Sequence, residues 1–131
     1  MIGGMEMNGR SIEKIGQIGV PVKDLNRAIS FYKERLGLPL LFHTETMAFF
    51  DVGGVRLLLS LPETEAFAHA GSVIYFQVED IQATYQMMKE KGVSFIGAPH
   101  RIAKVGQTET WMAFFKDSEG NTHAYMSEVE V

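Results

Sequence analysis

The stretch QIGVPVKDLNRAISFYKERLG, Gln17 to Gly37, decides the fold because it recurs. VIYFQVEDIQATYQMMKEKG, Val73 to Gly92, lies over it at an offset of 56 residues, falling to 55 at the glycines. Val22 then matches Val78, Asp24 matches Asp80 and Leu25 matches Ile81. Further along, the tetrapeptide MAFF occurs twice, at Met47 to Phe50 and at Met112 to Phe115. Each MAFF is followed by a turn and another apolar stretch, VGGVRLLLS in the first half and SEGNTHAYMS in the second. Matching Ser60 to Ser127 sets an offset of 67 against 65 at MAFF, so the second hairpin reads as two residues longer. Self-similarity of this kind marks one supersecondary unit used twice.

The order of elements within each unit follows from residue spacing. Ile18, Val20 and Val22 alternate with Gln17, Gly19 and Pro21, the period of a strand with one buried face. Asp24 is a suitable N-cap, Leu25, Ala28, Ile29, Tyr32 and Leu36 follow at helical spacing, and Gly37 closes the helix. Three strands are predicted next, over Leu38–His43, Met47–Asp51 and Val55–Ser60, with Gly53-Gly54 as a turn. The second half repeats the plan with a strand over Val73–Val78, a helix over Ile81–Lys91, and strands over Val93–Ile102, Thr108–Phe115 and Thr122–Ser127. The predicted class is α+β, two tandem βαβββ modules in a single domain over residues 13–131. Module 1 takes residues 13–60, a linker 61–71, module 2 residues 72–131, and residues 1–12 form a flexible tail.

Composition narrows the function classes. A length of 131 residues suits one domain, and a 46% hydrophobic fraction with nine Phe and four Tyr is that of a filled interior. A net charge of −4 with no basic stripe argues against a nucleic-acid surface. With no cysteine, disulfides, thiolate metal sites and a cysteine nucleophile are excluded. The opening MIGGMEMNGRS has no signal-peptide pattern, and no run of eighteen apolar residues offers a membrane span. A cytoplasmic protein without membrane contact is expected. No GxSxG elbow, phosphate-cradling GxxxxGK[ST], HExxH or calcium loop is found, and the Glu63-Glu65 pair reads as a solvated loop.

The tandem plan, IGVPVKDLNRAISFYKERLGL and the ending FFKDSEGNTHAYMSE together resemble the vicinal oxygen chelate superfamily, which includes glyoxalase I, fosfomycin and bleomycin resistance proteins, extradiol dioxygenases and methylmalonyl-CoA epimerase. The resemblance implies curved mixed sheets around a cavity with helices outside, and commonly a homodimer in which modules of two chains meet. It also implies, for the metal-dependent members, His or Gln on the first strand and Glu on the fourth strand of each module, four ligands for one divalent ion acting as a Lewis acid. Carried onto this chain, those positions fall on Gln17, Leu57, Val73 and Ala124. One neutral amide among three aliphatic side chains lacks the anionic oxygen or imidazole donors that a divalent ion needs. No cofactor is therefore expected, and Leu57, Val73 and Ala124 point to an apolar cavity floor for a small organic molecule. A cavity filled by its own side chains is the competing reading.

Parity then addresses the four histidines. If Ala124 faces the cavity, His123 and Tyr125 face away, as does Arg56, which the repeat places opposite His123. His69 lies four residues before Val73, roughly 13 Å in extended chain, too far to replace it as a ligand. His43 and His100, at strand ends, are the acid–base candidates at the cavity mouth, against a reading as exposed strand-end residues. Trp111 and Phe114 are placed with Gln17, Leu57, Val73 and Ala124 as ligand-binding candidates, with a core role for Trp111 left open. The leading expectation is a binder of a small molecule in a metal-free apolar cavity of a homodimer. The alternatives are a divalent-metal-dependent lyase, isomerase or dioxygenase with relocated ligands, such as Gln17 with His43, His100 or Glu109, and an interaction module that uses the fold as a scaffold.

Overall fold

Asp24 and Asp80 each start a helix by accepting a backbone proton that has no partner inside the helix. Asp24 Oδ1 accepts the Arg27 amide at 3.0 Å and Asp80 Oδ1 accepts the Ala83 amide at 3.1 Å. These caps open α1 (Leu25–Ser30) and α2 (Ile81–Glu90) in a computed structural model that describes residues 14–62 and 73–131. The expected tail over 1–12 and most of the expected linker, with Glu63, Glu65 and His69, lie outside the described residues.

The two helices end differently. The chain from Asp24 to Gly37 is one residue longer than that from Asp80 to Gly92, and α1 absorbs the surplus by widening into a π-type turn over Phe31–Arg35. Its closing bond runs from the Leu36 amide to the Phe31 carbonyl at 3.1 Å. Gly37 and Gly92 then take positive φ, 75° and 88°, where a side chain would be strained.

Four strands form the first sheet, β1 (Gln17–Pro21), β2 (Leu40–His43), β3 (Met47–Val52) and β4 (Val55–Ser60), in the order β1-β4-β3-β2. The second sheet contains β5 (Tyr75–Gln77), β6 (Ser94–Phe95), β7 (His100–Val105), β8 (Thr108–Lys116) and β9 (Thr122–Glu130). Its order is β5-β9-β8, with β6 and β7 both pairing β8. In each sheet the first strand runs parallel to the last and the remaining pairs are antiparallel. This is the α+β architecture that the sequence predicts, with one departure. The strand expected over Val93–Ile102 is broken into β6 and β7 at Gly97 and Pro99, where proline has no N–H to give the ladder.

One face of each sheet carries the helix and forms the core. Ile18, Val20, Leu57, Leu59, Ala48 and Phe50 fill it in the first sheet; Ala113, Phe115, His123 and Tyr125 fill it in the second. The buried set is one cluster spanning both modules, with Phe115 and Tyr125 stacked at 4.8 Å between centroids. Among the described residues, no helix is long and apolar enough to cross a membrane.

The register corrects the sequence reading of the hairpins. The Val22 amide bonds the Ser60 carbonyl where the Val78 amide bonds the Met126 carbonyl, so Ser60 matches Met126 and not Ser127. The second hairpin is therefore one residue longer than the first. Asp51 pairs Arg56 across four residues, and Lys116 pairs Thr122 across five. Leu57 thus stands where His123 does, on the helix face, and Leu58 is the counterpart of Ala124. A slip of one residue exchanges the two faces of a strand.

Candidate functional site

Among the described residues the two sheets do not join. β1 is the edge of the first and β5 the edge of the second, and they belong to separate hydrogen-bonded ladders. At the seam between them, reaching the β3–β4 turn, lies a cleft of about 500 Å³. Its walls are Ile18, Val52, Val55 and Leu57 from module 1 and Ile74, Tyr75, Phe76 and Gln77 from module 2, with Arg56 the one charged lining residue among the described residues. An apolar hollow of this size with few polar groups has the character of a small-molecule site.

Arg56 lies on the open face of β4, where Gln17 is its neighbour on β1 and Asp51 on β3. Its Nε donates to Gln17 Oε1 at 2.9 Å, and its guanidinium carbon sits 5.0 Å from the Phe49 ring centroid. On the second sheet, Ala124 is fully buried between its strand neighbours Tyr75 and Phe114, whose rings meet edge-on at 6.4 Å.

The residues singled out from sequence divide accordingly. Leu57 lines the cleft but from the helix face, so its assignment to the fourth-strand ligand position is corrected to Leu58. Gln17, Val73, Ala124 and Phe114 lie on or beside the open faces. Trp111 does not join them: it sits on the opposite face of β8 from Phe114, beside buried Ser127, and its Nε1 donates to Glu109 Oε1 at 3.1 Å. It lines a separate hollow of about 570 Å³ at the start of α2. Glu109 also accepts from Arg101, and these hydrogen bonds, from Trp111 first and then Arg101, hold its carboxyl below the usual range.

His43 and His100 do not meet at the cleft. His43 ends β2, three strands from β1 and so roughly 14 Å away, and its Nδ1 lies 3.3 Å from the Thr44 carbonyl. His100 is on β7, likewise three strands from β5, exposed and within 3.3 Å of the Ala98 carbonyl. The residues that sequence reasoning missed are Arg56, Tyr75 and Gln77. Arg56 was legible as a charge in an apolar strand, but the slipped register turned it away from the cavity.

His123 faces the helix. Its Nδ1 accepts the Ile74 amide in a long contact of 3.4 Å, which places the ring proton on Nε2. Nε2 donates to Tyr32 Oη at 2.9 Å, and Tyr32 donates in turn to Asp117 Oδ2 at 2.7 Å. Asp117 Oδ1 accepts the amides of Glu119 and Asn121, each at 2.8 Å. Burial would raise the Asp117 carboxyl, but His123 Nε2 at 3.6 Å and hydrogen bonds from Tyr32 and Asn121 prevail and hold it far below the usual carboxylate range. Burial, reinforced by the Asp117 charge, pushes the Tyr32 phenol well up. This network ties α1 of module 1 to β9 of module 2.

The donor set at the metal positions that the resemblance implies is Gln17, Leu58, Val73 and Ala124. The Gln17 carbonyl oxygen is occupied by Arg56, and the other three side chains offer no donor atom. Among the described residues, no three His, Asp or Glu side chains gather where they could hold an ion. These residues do not fit a divalent metal.

The sequence profile of the Glyoxalase/Bleomycin resistance protein/Dioxygenase superfamily matches residues 14–125. The chain belongs to that superfamily. It is 31% identical over 125 residues to the uncharacterized protein YraH of Bacillus subtilis (strain 168), covering 82% of this chain and 93% of YraH. It is 28% identical over 115 residues to the metallothiol transferase FosB of Staphylococcus haemolyticus (strain JCSC1435), covering 84% of this chain and 80% of FosB. A superfamily member from Sphaerobacter thermophilus DSM 20745 shares the fold with a TM-score of 0.75 at 22% identity, covering 88% of this chain and 98% of that one.

Proposed function

We propose that this superfamily member binds a small organic molecule in the apolar cleft between its modules, without the divalent metal of its metal-dependent relatives, as a cytoplasmic homodimer built from two copies of one unit. The observation that carries the reading is the cleft at the seam of the two sheets, whose walls are mostly apolar; beside it, Leu58, Val73 and Ala124 on or beside the open faces offer no donor to a metal. Exposed Leu41 and Phe42 on the first sheet and Ile102 and Val105 on the second are apolar surface that a second copy would cover. The FosB relatives favour a second reading by their name, a metal-assisted transfer. It requires ligands recruited from elsewhere, and His43, His100 and Glu109 stand apart from the cleft. Native mass spectrometry of the purified protein separates the two. A dimer mass carrying an organic adduct and no divalent ion is expected; one tightly held divalent ion per site would overturn the proposal.

A further inference from the structure

We infer that the cleft selects an organic anion, an apolar body bearing one carboxylate, sulfonate or phosphonate group that meets the Arg56 guanidinium. The inference rests on the cleft being a binding site and names its ligand class. Among the described residues, Arg56 is the one charge lining the cleft, and the other walls are apolar apart from Gln77 and the Tyr75 hydroxyl. Asp51 is its cross-strand neighbour, yet Arg56 forms no ion pair among the described residues. Its orientation is nonetheless fixed, because Gln17 Oε1 takes the Nε proton and the Phe49 ring supports the guanidinium plane. Nε is thereby consumed, while the terminal nitrogens remain available for a forked contact with an anionic group. Gln17, standing at a ligand position in metal-dependent relatives, here serves as a positioning residue for a cation supplied by the protein itself. A neutral ligand would leave that guanidinium facing an apolar body, and a cation would be repelled.

The test uses two fluorescent probes that differ in one group. 8-Anilinonaphthalene-1-sulfonate carries a sulfonate, and N-phenyl-1-naphthylamine is the same skeleton without it. Each is titrated into the full-length protein, into Arg56→Gln, and into Val55→Trp, which fills the cleft wall. Wild type should hold the anionic probe about tenfold tighter than the neutral one, the size of one charge-assisted contact. Arg56→Gln should erase that preference, and Val55→Trp should weaken both. Equal affinity of wild type for the two probes, or a preference that survives Arg56→Gln, overturns the anion assignment and leaves the cleft itself in place. Failure of both probes to bind, or binding unaffected by Val55→Trp, overturns the cleft reading and the anion assignment with it.

Discussion

At the scale of single residues, Leu57 and Leu58 are chemically identical neighbours with opposite fates. Leu57 is 2% exposed among Ile18, Phe50 and the rest of the core, whereas Leu58 is half-buried on the open face. Leu57→Glu should cost at least about 3 kcal/mol by burying a charge without a partner, and Leu58→Glu should stay within about 1 kcal/mol. Urea unfolding of the two variants reads the difference, and equal losses would contradict the register. Asp117 supplies a second residue-scale expectation. Folding lowers its carboxyl below the value in the unfolded chain, so the stabilisation is complete above the ordinary carboxylate range, roughly pH 4, and is lost as pH falls below it. The stability gap between wild type and Asp117→Asn should thus be widest near neutrality and shrink in acid. A gap constant between pH 3 and pH 7 would remove Asp117 as its source.

At the scale of elements, the β8–β9 turn holds the start of α1 from the other module. Glu119 accepts the Lys23 amide at 2.8 Å and the Asp24 amide at 3.0 Å, and pairs Arg27 at 3.1 Å. Glu119→Ala should cost about 1 kcal/mol, the scale of a lost cap. The Arg27 share should be small, because the Arg27 side chain is 58% exposed. A double-mutant cycle with Arg27→Ala measured by urea unfolding should return a coupling below about 1 kcal/mol; a larger value would move the weight from backbone capping to the ion pair.

At the scale of the whole molecule, two sheets share one core on their helix faces, while among the described residues their edges β1 and β5 stay unpaired, and the cleft lies where the sheets do not merge. A site made by that gap needs no ion to hold it open. Dialysis against EDTA should leave both the urea midpoint and the affinity for N-phenyl-1-naphthylamine unchanged. A tenfold loss of affinity, recovered on adding zinc, would show that an ion maintains the site.

The sequence by itself determined the helices, most strands and the superfamily, because these rest on local periodicity, capping aspartates and turn glycines that act within a few residues of each other. It also put Gln17, Val73 and Ala124 at positions where the resemblance implies metal donors. Only the tertiary structure decided which way β4 faces, since the side-chain period of two makes a single slipped residue invert every contact, and hairpin length is not written in the apolar pattern. It alone also decided the partners of His123, Arg56 and Trp111. Tyr32 lies 91 residues from His123 and Gln17 lies 39 from Arg56, distances across which sequence spacing carries no geometric information.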